Sequence, residues 1–106
     1  MTHTITVYRH SLVRPFLYTP QVQDFAESQS SYWLLDVLAT EVLPLHSKSY
    51  FLAVTLEVTP KSQALLSVTD GNETTLFVKK LDFTSTPTGI HKFFLVDNVC
   101  MLPEEY

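Results

Sequence analysis

The first residues of the chain that could do chemistry are Tyr8, Arg9 and His10, with Arg14 shortly after them. Arginine presents a fixed fork of donors that suits carboxylates and phosphates, and histidine can gain a charge near neutral pH. One interpretation of this run is therefore an anion or phosphate site. The alternative is a solvated segment whose arginines pair with some of the eleven acidic residues.

Asp36 is a second candidate, because it interrupts the apolar segment YWLLDVLATEVL. A carboxylate in such surroundings is costly unless it is paired or exposed. It can face solvent beside Thr40, pair with Arg9, Arg14 or a backbone donor, or act as a catalytic acid, since perturbed carboxylates cluster at sites. A pocket between the N-terminal segment and this helix would form a candidate ligand or anion site from Tyr8, Arg9, His10, Arg14, Trp33 and Asp36.

Other chemistry is disfavoured by the residue types that the chain lacks. Gly71 and Gly89 are the only glycines, so no glycine-rich phosphate loop can form. No serine lies in a nucleophile-elbow context, and Cys100 is interpreted as a buried, inert thiol in a short apolar strand. No metal or cofactor is expected, because no metal-ligand spacing links the four histidines, His3, His10, His46 and His91.

The composition fits one domain of 106 residues, of which 45% are hydrophobic and 17% charged. The net charge of −4 disfavours nucleic acid as a partner. A single cysteine fits a reducing compartment, and no signal peptide is recognised, so a cytoplasmic location is expected. The most apolar stretch, residues 32–45, is too short and too charged to cross a bilayer, so no membrane contact is expected.

Two helices are predicted in the first half of the chain, over residues 20–28 and 31–43. Thr19-Pro20 is a helix-start signal, because threonine can cap and proline suits the first helical position. Ser30 or Ser31 is expected to cap the second helix, and Pro44 to end it. Before these helices, the alternation through Ile5 and Val7 indicates a short edge strand.

From Lys48 onward the apolar residues alternate, which predicts strands at about 49–59, 63–69, 74–83, 90–96 and 99–102. Asp70-Gly71-Asn72 and Asp97-Asn98 are turn signals, and a change of apolar phase at Lys79-Lys80 indicates a β-bulge. The predicted fold is a single α+β domain over 1–106. It would have two N-terminal helices packed on a four- to five-stranded antiparallel meander.

One helical layer would leave the second face of this sheet uncovered. A candidate interface on that face consists of apolar side chains opposite the helix-facing set: Phe51, Leu65, Phe77 and one of the pair Phe93 and Phe94. Exposed apolar patches of this kind mark partner surfaces, which favours a protein partner or a homodimer. The alternative is that the N-terminal segment folds over the face with Phe16, Leu17 and Tyr18.

The segments YRHSL, YWLLD and PEEY resemble a family of bacterial, phage and plasmid-borne proteins of roughly this length and of unknown function. The resemblance implies a bacterial or mobile-element origin and a cytoplasmic setting, and it brings no activity with it. The expected function is a small, non-enzymatic protein-interaction domain. The alternative is an enzyme or ligand-binding domain that uses an Arg9/His10/Arg14/Asp36 pocket.

Overall fold

The computed structural model describes residues 7–72 and 74–106, which form an α+β fold around one mixed sheet. Two α-helices are described, α1 (Pro20–Ser28) and α2 (Tyr32–Val37). The seven strands are β1 (Tyr8–Arg9), β2 (Leu17–Tyr18), β3 (Phe51–Val58), β4 (Ala64–Thr69), β5 (Thr75–Leu81), β6 (Gly89–Val96) and β7 (Val99–Met101). Among the described residues, no helix has both the length and the apolar character needed to cross a membrane.

The predicted fold class is wrong in its sheet and in the placing of its helices. The strand order is β1-β2-β7-β6-β3-β4-β5, and β2 pairs with β7 in parallel while the other neighbours are antiparallel. Two short strands therefore precede the helices, and α2 lies in mid-chain. The signal was weak because each of these strands has only two residues, whereas a period of two needs several residues to be recognised.

The larger strands do not form a meander. After β3, β4 and β5, the chain crosses back and places β6 beside β3, which gives the spatial order β6-β3-β4-β5 of a Greek key. All eight residues of β6 pair with β3, from Gly89 opposite Val58 to Val96 opposite Phe51. β3 is therefore central, and its inward residues are fully enclosed.

The helix predicted over 31–43 is divided into three segments. α2 gives way to a π-helical turn at Leu38–Val42 and then to a 3-10 segment at Leu43–Ser47. Pro44 explains the change, because proline has no N–H to donate and its ring clashes with the carbonyl of the residue four positions earlier, here Thr40. The ladder widens instead, and the Leu43 N–H reaches the Leu38 carbonyl.

Strand alternation defines two faces of the sheet, which we call the inner face and the outer face. The inner face carries Leu52, Val54 and Leu56 of β3 with their partners on β4 and β6, and α1 and α2 pack against it. The outer face carries the alternate residues, including Phe51, Leu65 and Phe94. No α-helix among residues 7–72 and 74–106 lies on the outer face.

The predicted bulge at Lys79-Lys80 is misplaced. The register between β4 and β5 shifts between Val68 and Thr69, so that Leu76 is the extra residue on β5. This shift turns Phe77 toward the inner face, opposite Val68, and leaves Val78 exposed. Lys79 also falls on the inner phase, at the sheet edge, where its ammonium lies 3.3 Å from the Glu41 carboxylate.

A chain of buried hydroxyls holds the crossover loop between β5 and β6. Thr84 donates to Thr86 (3.1 Å), Thr86 donates to Ser31 (2.6 Å), and Ser31 donates to the Gln29 carbonyl (2.9 Å). The Ser31 hydroxyl therefore anchors the loop and makes no cap bond to α2, although Ser31 occupies the N-cap position. A crossover of this kind needs such partners because buried polar groups are costly when unpaired.

Candidate functional site

Two members of the predicted site, His10 and Asp36, form a close pair between the β1–β2 loop and α2. The Nε2 atom of His10 lies 2.7 Å from Oδ1 of Asp36. The imidazole is buried, with 8% of its side chain exposed, whereas the Asp36 carboxylate is 68% exposed. The desolvation penalty of the Asp36 carboxylate is therefore small, because it contacts the histidine from the solvent side.

The second ring nitrogen of His10, Nδ1, bonds to the backbone of the β1–β2 loop, which indicates a structural role for the pair. Nδ1 accepts two backbone N–H groups, from Leu12 (3.1 Å) and Val13 (3.0 Å). It must therefore present its lone pair, and Nε2 must carry the hydrogen that is donated to Asp36. A nitrogen already occupied by two donors cannot also accept a proton from a substrate, so this histidine orders the β1–β2 loop.

The remaining predicted site residues do not join this pair. Tyr8 packs its ring on Tyr18 at 5.8 Å, and Arg9 donates from Nη1 to the Arg14 carbonyl oxygen at 2.6 Å. Arg9 falls on the outer face by alternation, opposite Leu17, and the Arg14 side chain is exposed.

Trp33 lies elsewhere, on the side of α2 that faces the end of β5. It lines a cavity of about 310 Å³ together with Leu81, Phe83, Thr84 and Ser85. Its indole Nε1 is buried and has no partner among the described residues. Of the six predicted residues, His10 and Asp36 bond to each other, whereas Arg9 lies on the outer face and Trp33 lies beside the end of β5.

The five residues of the predicted interface divide between the two faces. Phe51, Leu65 and Phe94 lie on the outer face. Phe93 does not, because it pairs with Val54 on the inner face, packs on Phe25 at 5.0 Å and is 1% exposed. Phe77 also points to the inner face, because the register shift in β5 places it opposite Val68.

The alternative was that the N-terminal segment folds over the outer face with Phe16, Leu17 and Tyr18, but residues 7–18, the part of it that the structure describes, do not cover that face. Phe16 is fully buried in the core and packs edge-on against His10 at 6.1 Å. Tyr18 also packs against the core, and Leu17 alone turns outward. The segment extends the sheet sideways, so it widens the outer face. Ile5 and His3 lie outside the described residues.

An aromatic cluster lies on the outer face and includes the end of the chain. The rings of Phe51 and Phe94 are 4.8 Å apart, and Tyr106 contacts them at 5.4 and 5.6 Å. Gly71 approaches closely, since a Cβ there would lie 2.9 Å from the Phe51 ring. Tyr106 remains 71% exposed, so one face of this cluster is open to solvent.

A groove of about 750 Å³ lies beside the cluster, and we call it the β2–β7 groove. Its apolar side chains come from neighbouring strands of the outer face: Leu17, Val96, Val99 and Met101. Val7, Thr19 and Gln21 complete its walls together with three acidic residues, Asp97, Glu104 and Glu105. It continues into the aromatic cluster because Met101 pairs with Phe94 and Val96 pairs with Phe51.

Glu105 fixes the C-terminal turn against the start of α1. Its Oε1 accepts from the Thr19 hydroxyl (2.8 Å) and from the Leu102 N–H (2.9 Å). The same Thr19 oxygen accepts the Val22 N–H and so caps α1. Asp97 and Glu104 are exposed, and neither carboxylate pairs with any residue in 7–72 or 74–106.

Burial raises the pKa of two side chains near the groove and the His10 loop, the Cys100 thiol and the Tyr18 phenol. Complete burial raises the pKa of the Cys100 thiol, and the nearby Glu105 carboxylate adds to the effect. Burial also raises the pKa of the Tyr18 phenol, with smaller contributions from Tyr32, Tyr8 and Asp36. Neither group is poised as a nucleophile, because the reactive form of each is its anion.

Sequence reasoning missed the β2–β7 groove, since Leu17 and Val99 meet only through the parallel pairing of β2 with β7. The C-terminal PEEY segment could have pointed to this region, because Glu104 and Glu105 line the groove and Tyr106 belongs to the aromatic cluster.

No curated protein and no solved structure matches this chain. A family model does match, over residues 1–106, and the chain therefore belongs to the "Family of unknown function (DUF6876)".

Proposed function

We propose that this protein is a non-enzymatic binding protein and that its partner is another polypeptide, contacted through the outer face of the sheet. The observation that carries the proposal is the unequal cover of the two faces. Both α-helices pack on the inner face, where Val22, Ala26, Leu34 and Leu35 join the core. The outer face carries large apolar side chains, and residues 7–72 and 74–106 place no comparable layer over them.

The aromatic cluster supports a polypeptide partner because aromatic side chains are frequent anchors of protein interfaces. Its rings lie directly beside the β2–β7 groove, so the apolar surface is longer than a small ligand needs. Leu65, Val78 and Ile90 are also exposed on the outer face, but the Thr55–Lys92 pair separates them from the cluster. A surface of this length suits an extended segment of another chain better than a compact metabolite.

The alternative, an anion-binding or enzymatic pocket, has less support because Arg9 and Trp33 lie apart from the His10–Asp36 pair. The His10–Asp36 pair is committed to the β1–β2 loop, and Arg9 is held by the Arg14 carbonyl. The bacterial or mobile-element origin and the cytoplasmic setting implied by the resemblance stay predictions.

Selection from a library of random displayed peptides on the full-length protein tests the proposal. Enriched peptides are then titrated by calorimetry against the wild type and two tyrosine variants. Tyr106→Ala removes an exposed ring from the aromatic cluster, and Tyr50→Ala removes a similarly exposed ring, at 65%, outside it. We expect Tyr106→Ala to weaken binding about tenfold and Tyr50→Ala to leave it unchanged.

Light scattering of the eluting protein shows whether a second copy already occupies the face. A stable dimer that Tyr106→Ala dissociates would make that second copy the polypeptide partner. A library that yields no binder to a monomeric protein contradicts the proposal, as does equal binding by both tyrosine variants.

A further inference from the structure

The chemistry of the partner can be inferred from the β2–β7 groove, and this inference rests on the proposed function. Five of its residues present aliphatic or thioether surface: Val7, Leu17, Val96, Val99 and Met101. Its volume of about 750 Å³ falls within the roughly 300–1,000 Å³ typical of ligand clefts. Such a lining favours burial of apolar side chains, because removing apolar surface from water is favourable.

The charges around the groove all have one sign. Asp97, Glu104 and Glu105 line it, and no lysine, arginine or histidine is among its lining residues. Glu105 is occupied by two donors, but Asp97 and Glu104 have no described partner. Two exposed carboxylates beside an apolar cleft favour a ligand that combines apolar groups with positive charge, and the net charge of −4 acts in the same direction.

No lysine, arginine or histidine among residues 7–72 and 74–106 forms an ion pair with these carboxylates. His46 lies beside the Asp97-Asn98 turn, but its Nε2 accepts the Asn98 N–H at 3.4 Å and its Nδ1 lies 2.9 Å from the Ser49 carbonyl oxygen. Arg9 pairs with Leu17 at the edge of the outer face, and its guanidinium is bound to the Arg14 carbonyl. Lys92 lies on the outer face of β6 opposite Thr55, at some distance along the strand from Val96. The carboxylates of Asp97 and Glu104 have no cationic partner among the described residues and can meet a positive charge on another polypeptide.

We propose that the β2–β7 groove binds an extended polypeptide segment that carries both apolar and basic side chains. The apolar side chains occupy the cleft over Val99 and Met101, and a lysine or arginine meets Asp97 and Glu104. The aromatic cluster continues the same surface and receives the next apolar residue of the segment.

Two-dimensional amide NMR of the full-length protein tests both parts, with three synthetic peptides as probes. The peptide GKLVKLG has the proposed character, GELVELG reverses its charge, and GKSSKSG removes its apolar side chains. We expect GKLVKLG alone to shift the amide signals of Leu17, Val99, Met101 and Glu104. GELVELG and GKSSKSG should leave those four signals in place.

Two variants separate charge from apolar contact. Asp97→Asn with Glu104→Gln removes the free carboxylates, and asparagine tolerates the left-handed backbone of Asp97 (φ 50°). This pair should weaken GKLVKLG about threefold to tenfold. Met101→Lys should abolish its binding. Glu27→Gln with Asp82→Asn changes the net charge equally at two exposed positions away from the groove and serves as the control.

Each outcome decides something. Equal binding of GELVELG, or no effect of the Asp97 and Glu104 changes, overturns the basic character while leaving the proposed function intact. Shifts confined to other surfaces overturn the groove as the site. A dimer that Met101→Lys dissociates overturns the inference too, because a second copy then fills the groove. Thermal unfolding of every variant confirms that lost binding does not reflect a lost fold.

Discussion

Removing the His10–Asp36 pair should destabilise the fold by an amount that its geometry sets. Asp36→Asn keeps an oxygen that can accept from Nε2 but removes the charge. Asp36→Ala removes the acceptor as well. His10→Ala removes this bond, strips the Leu12 and Val13 N–H groups of their acceptor, and deletes the ring that packs on Phe16.

The magnitudes follow from burial. A hydrogen bond to a charged group contributes about 1.5–3 kcal/mol, but Asp36 is 68% exposed, so solvent screens it. We expect Asp36→Asn to cost about 0.5 kcal/mol and Asp36→Ala about 1 kcal/mol. His10→Ala should cost about 2–4 kcal/mol, because it leaves two N–H groups without their acceptor and opens a cavity beside the core.

Urea unfolding followed by circular dichroism measures these free energies. The double variant His10→Ala with Asp36→Ala completes a cycle, and its coupling energy should be about 1 kcal/mol. Asp24→Asn is the control, since Asp24 is an exposed carboxylate on α1. Nitrogen-15 NMR of the imidazole should also show Nδ1 without a hydrogen.

The reasoning is refuted if Asp36→Ala unfolds at the wild-type urea concentration and the coupling is zero. A hydrogen found on Nδ1 would refute the assigned roles of the ring nitrogens independently. Either result would return Asp36 to the other interpretations considered from the sequence, a solvated carboxylate or an acid with a chemical role.

Three further predictions concern the interior. Cys100 should react slowly with a thiol reagent in the native protein and quickly in urea, because burial raises its pKa and little thiolate exists near neutral pH. Thr86→Val should cost about 1–3 kcal/mol in urea unfolding, since the Ser31 hydroxyl loses a buried donor; an unchanged midpoint contradicts the hydroxyl chain. Gly71→Ala should lower the melting temperature, because its φ of 87° disfavours a side chain and the new methyl group meets the Phe51 ring; Gly71→Asn, which tolerates this backbone better, separates the two causes.

The parts of the fold that sequence reasoning could reach are those fixed by local signals. Thr19-Pro20 predicts a helix start, and α1 begins at Pro20 with the Thr19 hydroxyl as its cap. Asp97-Asn98 predicts a turn, and both residues adopt left-handed backbone between β6 and β7. Such features depend on neighbours in the chain, so the residues themselves carry the information.

The parts that could not be reached depend on distant pairing. The local sequence pattern does not indicate that β6 pairs with β3 and not with β5, because alternation of apolar residues identifies a strand but not its neighbour in the sheet. The phase of β5 was misread for a related reason: the bulge at Leu76 arises where β5 meets β4. The candidate site is the part least predictable from the sequence, because the contacts of His10 with Asp36 and of Leu17 with Val99 join residues that are far apart in the chain.

The β2–β7 groove and the His10–Asp36 pair are linked through β2, although they lie on opposite faces of the sheet. His10 orders the loop that leads into β2, β2 supplies Leu17 to the groove, and Thr19, the next residue after β2, bonds to Glu105. If the loop loosens, β2 can leave β7, and only the fraction of molecules with β2 in place can bind. The apparent dissociation constant rises by the inverse of that fraction. If the groove binds the proposed polypeptide segment, His10→Ala should therefore weaken that binding even though His10 does not line the groove.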